Sequence, residues 1–236
     1  MSLSTDQIRE RRDDILRRIA RAAEQRGRDP AGVLLLAVTK SHPADLVRKA
    51  AAAGLTHFGE NRVAEASAKI QALGEEFSGL DWRLIGPLQT NKAKAALQYF
   101  SAVESLDRQR LAEKLNSLAA AQERQLPVLL ELNLGGEASK SGAPPEAAGD
   151  LAAAVLDLPR LDLRGLMAVP PQRKDPEEAR PDFRRLVEIR DRLQDRFGRA
   201  FPEISMGMSH DFEIAVEEGS TEVRLGTVLF GSREPA

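Results

Sequence analysis

Lys40 ends an apolar run, Val33-Leu34-Leu35-Leu36-Ala37-Val38-Thr39, and Ser41-His42-Pro43 then turns the chain into a helical pattern. A run that apolar reads as a strand buried on both faces, as in a parallel sheet. A lysine where such a strand emerges has its stem packed and its amine toward a cavity. Desolvation favours the neutral amine, a nucleophile able to form a Schiff base. A second charged residue interrupts an apolar run near the other end, Arg224 in Val223-Arg224-Leu225. A guanidinium there must be paired or point into a polar space. It can donate to a ring nitrogen or a phosphate, the alternative being a structural ion pair.

On either side of Arg224 lie the makings of an anion site. Met206-Gly207-Met208-Ser209 precedes a helix expected to begin near residue 211, and Gly226-Thr227 follows Arg224. Backbone N–H groups at a helix start attract anions. Gly226 admits close approach, and Ser209 and Thr227 add hydroxyls. The ordinary alternatives are a helix cap for Ser209 and a strand-end turn for Gly226. Gly219-Ser220-Thr221 looks like another phosphate loop, but it follows a helix and precedes a strand, so Gly219 reads as a left-handed residue just past a helix end, on the opposite face. An amine, an anion cradle and an arginine between them fit a phosphorylated aldehyde. Pyridoxal 5′-phosphate (PLP) needs all three.

The elements that must position these groups alternate. Apolar runs at 33–39, 56–59, 82–86, 102–105, 128–133, 163–169, 203–205 and 223–227 are each followed, except the last, by a helical pattern: 44–53, 62–73, 91–98, 108–123, 145–156, 177–197 and 211–218. Strict alternation implies a parallel sheet with helices outside. Eight runs without a long insertion favour an α/β fold with a single closed (β/α)8 TIM barrel over residues 1–236, whose active site lies at the C-terminal strand ends. Ile8, Ile15, Leu16 and Ile19 add an amphipathic helix over about 5–27, capped at Ser4 or Thr5.

Composition narrows the function classes. With 236 residues, 42% hydrophobic and 30% charged, this is an ordinary globular chain, and a net charge of −2 carries no global pull toward nucleic acid. It has no cysteine and three histidines without metal-ligand spacing, so disulfides, thiol nucleophiles and a metal site are not expected. No segment approaches the roughly 18 apolar residues of a membrane span, and the N-terminus has no secretory pattern. A cytoplasmic monomer is expected.

Ala37-Val38-Thr39-Lys40, Phe58-Gly59-Glu60-Asn61, Ile85-Gly86-Pro87-Leu88-Gln89 with Asn91-Lys92, Ser139-Lys140-Ser141-Gly142, Arg164-Gly165-Leu166-Met167-Ala168, Ser205-Met206-Gly207-Met208-Ser209, Gly219-Ser220-Thr221 and Val223-Arg224-Leu225-Gly226-Thr227 with Phe230-Gly231 together resemble the pyridoxal phosphate homeostasis protein family, the proline synthase co-transcribed homologues. The resemblance covers nearly the whole chain in family order. It implies a fold-type III barrel like the N-terminal domain of alanine racemase, with PLP as cofactor. It makes Lys40 the Schiff-base lysine, puts Ser209, Gly226 and Thr227 on the phosphate, Arg224 at the pyridine nitrogen, and Asn61 and Met208 beside the ring. Lys140, in the loop after the fifth strand, would be a secondary acceptor of the cofactor or a transfer residue. Members are described as regulating PLP without established turnover, which makes apo PLP-dependent enzymes candidate partners. Many relatives carry a second lysine where this chain has His42, tyrosine where it has Arg62, and aspartate where it has His210.

The first function expected is therefore a non-catalytic PLP carrier. A PLP-dependent amino-acid racemase is the alternative. Racemisation needs an acid–base group on each face of the carbanion; alanine racemase takes the second from a tyrosine of another domain, whereas the one tyrosine here, Tyr99, falls just before the fourth strand, away from the site. His42 or His210 would have to substitute. A phosphosugar isomerase using Glu60 as base leaves Lys40 and Arg224 without a role.

Overall fold

Eight parallel strands close on themselves in the computed structural model, which describes residues 3–137, 141–171 and 173–231. They are β1 (Leu34–Val38), β2 (His57–Glu60), β3 (Asp81–Leu84), β4 (Ala102–Leu106), β5 (Leu126–Leu132), β6 (Leu161–Ala168), β7 (Glu203–Met208) and β8 (Glu222–Leu225), paired in sequence order with β8 returning to β1. The helices are α1 (Thr5–Glu24), α2 (Ala44–Ala52), α3 (Val63–Leu73), α4 (Ala93–Tyr99), α5 (Gln109–Ala121), α6 (Ala148–Leu156), α7 (Arg180–Phe197), α8 (Phe212–Glu217) and α9 (Thr227–Phe230). Every expected strand is present, so the (β/α)8 barrel stands. The seventh strand, expected over 203–205, runs on to Met208, and Thr227, expected at the end of the eighth strand, opens α9.

The extension of β7 has a local cause. Ser205 pairs with Glu222 and Met208 with Arg224, so β7 spends one more residue than β8 over the same stretch. Such a bulge re-aims side chains. Gly207 takes it with φ +94°, and a Cβ there would lie 2.5 Å from the Ala215 Cβ. Glycine is the residue that tolerates both constraints. The bulge carries Met208 and Ser209 to the C-terminal mouth of the barrel.

The helix after β8 is only four residues long, and α1 supplies the missing cover. It packs on α8, α2 and α9 over the outside of the β8–β1 seam. Ile8, Ile15 and Ile19 are its buried stripe. Ser4 caps it: Ser4 Oγ accepts from Gln7 N at 3.2 Å, and Gln7 Oε1 accepts from Ser4 N at 2.9 Å. The reciprocal pair satisfies two donors left over at the helix start. Arg18 donates to Glu213 of α8 at 2.6 Å.

The barrel interior departs from the apolar layers usual in this fold. Glu104, Ser205, Glu222 and Arg224 are buried there, and Arg83 closes the group with contacts to Glu222 at 2.7 Å and Glu203 at 3.3 Å. At the stability face Gly219 has φ +109°, as expected just past a helix end, and Ser220 Oγ donates to the Met206 carbonyl at 2.8 Å. That loop is a structural clamp between β7 and β8.

Candidate functional site

A cavity of about 570 Å³ opens at the C-terminal ends of the strands. Its size suits a small-molecule ligand. All seven residues singled out from the sequence line it: Lys40 after β1, Asn61 after β2, Met208 and Ser209 at the end of β7, Arg224 within β8, and Gly226 and Thr227 beyond it. Lys140 lies outside the described residues.

Lys40 stands at the cavity wall, half-buried, one residue after the fully buried Thr39. The turn behind it is tightly defined. Ser41 adopts φ +64°, a left-handed conformation uncommon for a residue with a side chain. The Glu65 carboxylate accepts from the Ser41 N–H, and the His42 N–H donates to the Thr39 carbonyl at 3.0 Å. Beneath this turn, Lys69 of α3 is buried and donates to the Thr39 carbonyl at 2.7 Å and to Glu60. Thr39 Oγ1 donates to the same Glu60 oxygen at 2.7 Å. Burial pushes the Glu60 carboxyl up, and Lys69 opposes that shift. Glu60 thus ties β2 to α3 and is not on the cavity wall, which removes it as a catalytic base.

Arg224 forms part of the wall and is 4% exposed. It donates from Nη1 to Ser205 Oγ at 2.6 Å and from Nη2 to the Ala168 carbonyl at 2.7 Å. Ser209 Oγ accepts from the Val228 N–H at 3.2 Å, so it caps the start of α9 rather than its own helix α8 and clamps the two loops together. The next two N–H groups of this short helix, Leu229 and Phe230, donate to the Gly226 carbonyl at 3.0 and 2.8 Å, which fixes Gly226 and Thr227 beside Ser209. Gly226 lies close under β1; a Cβ there would sit 3.2 Å from the Val38 carbonyl oxygen.

Two acidic residues of the wall escaped the sequence reading. Glu131 of β5 is buried, accepts from Ser141 Oγ at 2.6 Å through Oε1, and has no described partner at Oε2. Burial raises its carboxyl above the usual range. Asp211 accepts from the Met208 N–H at 2.7 Å, which holds the bulge end in place, and burial raises it too. The signal for Glu131 was available, a charge inside the apolar run Leu129-Leu130-Glu131-Leu132, the same pattern that marks Arg224. For Asp211 the sequence offers only a helix start. His42 and His210 also line the cavity; the His42 ring meets Phe230 edge-on at 5.6 Å, and His210 Nε2 lies 3.2 Å from the Lys174 carbonyl oxygen. Tyr99 is on the other side of the barrel, its hydroxyl accepting from Gln71 at 2.8 Å.

The donor set suits a phosphorylated pyridine aldehyde. There is an amine at one wall, an anion cradle from two loops at another, and a guanidinium between. Asn61 Oδ1, like Glu131 Oε2, is buried without a partner among the described residues. Orphaned polar atoms on a cavity wall are what a polar ligand satisfies.

Comparison with known proteins agrees. Residues 12–234 match the family profile described as alanine racemase, N-terminal domain. The chain is 44% identical to the pyridoxal phosphate homeostasis protein of Aquifex aeolicus over 225 residues, covering 95% of this chain and 98% of that one. It is 46% identical over 217 residues to the protein of the same name from Pseudomonas aeruginosa, covering 92% of each. Among solved structures, PipY of Synechococcus elongatus with PLP bound superposes with a TM-score of 0.80 at 38% identity, over 90% of this chain and 100% of that one. Alanine racemase of Clostridium difficile shares the fold alone, with a TM-score of 0.73 at 15% identity, over 98% of this chain and 58% of that one. With its barrel, its motifs in order and these full-length relatives, the chain belongs to the pyridoxal phosphate homeostasis protein family.

Proposed function

We propose that this protein binds PLP in the cavity at the strand ends and serves PLP homeostasis, holding and releasing the cofactor without efficient turnover. The observation that carries this is the meeting of Lys40, Arg224 and the Ser209–Gly226–Thr227 cradle around one cavity. The names of its relatives and the PLP-bound state of PipY support it. When bound, the cofactor supplies an electrophilic aldehyde and a pyridine ring that draws electrons. Lys40 is the amine that takes the aldehyde carbon as a Schiff base, with loss of water. Ser209, Thr227 and the backbone at Gly226 hold the phosphate, and Asn61 and Met208 flank the ring. Arg224 donates to the ring nitrogen but keeps its proton, since a guanidinium does not ionise in proteins. A ring nitrogen left unprotonated draws electrons less strongly, which suits storage better than carbanion chemistry. The whole chain acts as one barrel domain and as a monomer in this reading, with apo PLP-dependent enzymes as recipients.

The test is direct. The purified protein, offered PLP, is expected to turn yellow, and borohydride followed by peptide mapping is expected to place the label on Lys40. Lys40→Ala should lose the visible band. A variant that keeps the band, or a label on another lysine, overturns the assignment.

A further inference from the structure

Ser205 lies at the centre of the barrel, fully buried, and its Oγ has three close neighbours. Arg224 Nη1 is 2.6 Å away, Glu222 Oε1 is 2.6 Å away and Glu104 Oε2 is 2.7 Å away. A serine hydroxyl brings one proton and two lone pairs. The guanidinium has only protons to give, so it occupies one lone pair. The hydroxyl proton can reach only one of the two carboxyl oxygens. The remaining contact is attractive only if the other carboxyl carries a proton and donates it. With both carboxylates ionised, an oxygen would face an oxygen at hydrogen-bond distance with no proton between them, at fully buried side chains.

Arg83 decides which carboxyl is neutral. Its Nη1 is 2.7 Å from Glu222 Oε2 but 3.5 Å from Glu104 Oε1. Glu222 is therefore the ionised partner. Glu104 Oε1 has no hydrogen-bond partner among the described residues, which a neutral acid's carbonyl oxygen tolerates far better than a carboxylate does. The charged groups around the pair are Arg83, held also by Asp81, from β3; Glu203, itself bound by Arg164 of β6, from β7; and Arg224 from β8, which also feels Glu131 of β5 and Asp211. Burial first, and then the neighbouring Glu222 charge, hold the Glu104 carboxyl well above the usual carboxylate range, against the pull of Arg83 and Arg224.

We propose that Glu104 and Glu222 share one proton across Ser205 at neutral pH, resident on Glu104, so that Arg224 rests on a neutral hydroxyl instead of a carboxylate. Both hydrogen bonds described for Arg224 then go to uncharged acceptors, Ser205 Oγ and the Ala168 carbonyl. Its charge stays available to the cavity. Glu104, Ser205 and Glu222 are not on the cavity wall, so they act on a ligand through Arg224, as positioning residues. The identity of that ligand rests on the PLP reading; the proton does not.

Glu104→Gln tests the proton, because an amide N–H can donate to Ser205 where the acid O–H did. Above the ordinary glutamate range the native wild type holds a proton that the unfolded chain has released. Its folding constant should therefore fall about tenfold per pH unit as pH rises, until the pair titrates. The glutamine variant lacks this term. In urea unfolding of the full-length protein, the ratio of folding constants, variant over wild type, should climb about tenfold per pH unit from about pH 5 upward. A ratio that does not change with pH overturns the proposal. If Glu104→Gln fails to fold, infrared spectra of the Lys69→Met/Glu60→Leu/Glu131→Gln protein with isotope-labelled glutamate decide: a neutral-acid carbonyl band at pH 8 is expected, and its absence is fatal.

The positioning role has its own readout. Ser205→Ala lets Arg224 fall onto Glu222 and should weaken PLP binding about tenfold, whereas Glu104→Gln should change it less than about twofold. Equal effects overturn positioning. A climbing ratio in a protein that takes up no PLP keeps the proton and sinks the cofactor reading; a flat ratio in a yellow protein does the reverse.

Discussion

Arg224 is hard to replace because its two hydrogen bonds hold the cavity floor together from β8 to β7 and β6. Arg224→Ala strands the Ala168 carbonyl and removes the cation nearest the proposed ring nitrogen. Hydrogen bonds to charged groups contribute about 1.5–3 kcal/mol, so PLP affinity should drop roughly tenfold to a hundredfold, read by titration of the visible absorbance. Unchanged affinity would take Arg224 out of the site. This residue was legible in the sequence because a charge between Val223 and Leu225 has no solvent to reach. Glu131 and Glu104 obey the same rule within Leu130-Glu131-Leu132 and Val103-Glu104-Ser105, and both turn out to be buried inside the barrel region. Their partners were not legible, because pairing across a closed barrel depends on register, and register between distant strands leaves no local mark.

At the level of elements, the Lys69–Glu60–Thr39 contact joins α3 to the ends of β1 and β2, directly behind Lys40. Removing one member of a buried pair leaves the other without compensation, at a cost of about 3–5 kcal/mol. Lys69→Met should lower urea stability by about that amount, and adding Glu60→Leu should recover most of it. If the double variant is no more stable than the single one, the two residues do not act as a pair. The strand and helix order was legible because parallel strands buried on both faces print as short apolar runs. Two boundaries were not. Gly207 breaks the strand signal where a bulge, rather than an end, is needed. Val228-Leu229-Phe230 has the composition of a strand, yet it forms α9, whose N–H is capped by Ser209 from another loop.

On the scale of the whole molecule, the chain spans 58% of the C. difficile alanine racemase and shares its fold alone. Lys40 can serve one face of a carbanion. The other acid–base groups of the described wall are Glu131, Asp211, His42 and His210. Glu131 and Asp211 are each committed to a hydrogen bond and pushed toward the neutral form by burial. With PLP and L-alanine, chiral analysis should therefore find turnover well below an enzyme-typical rate of about 1 per second. A rate at or above it would make the protein a racemase.

The charged interior also bears on how such a chain can vary. Glu104, Ser205, Glu222, Arg224 and Arg83 hold one another across four strands. An apolar replacement at any one of them leaves the rest in an environment that penalises unpaired charge, so effects at these sites will not add. A lineage that alters one is pressed to alter its neighbours, and this ring's centre should be inherited or exchanged as a set.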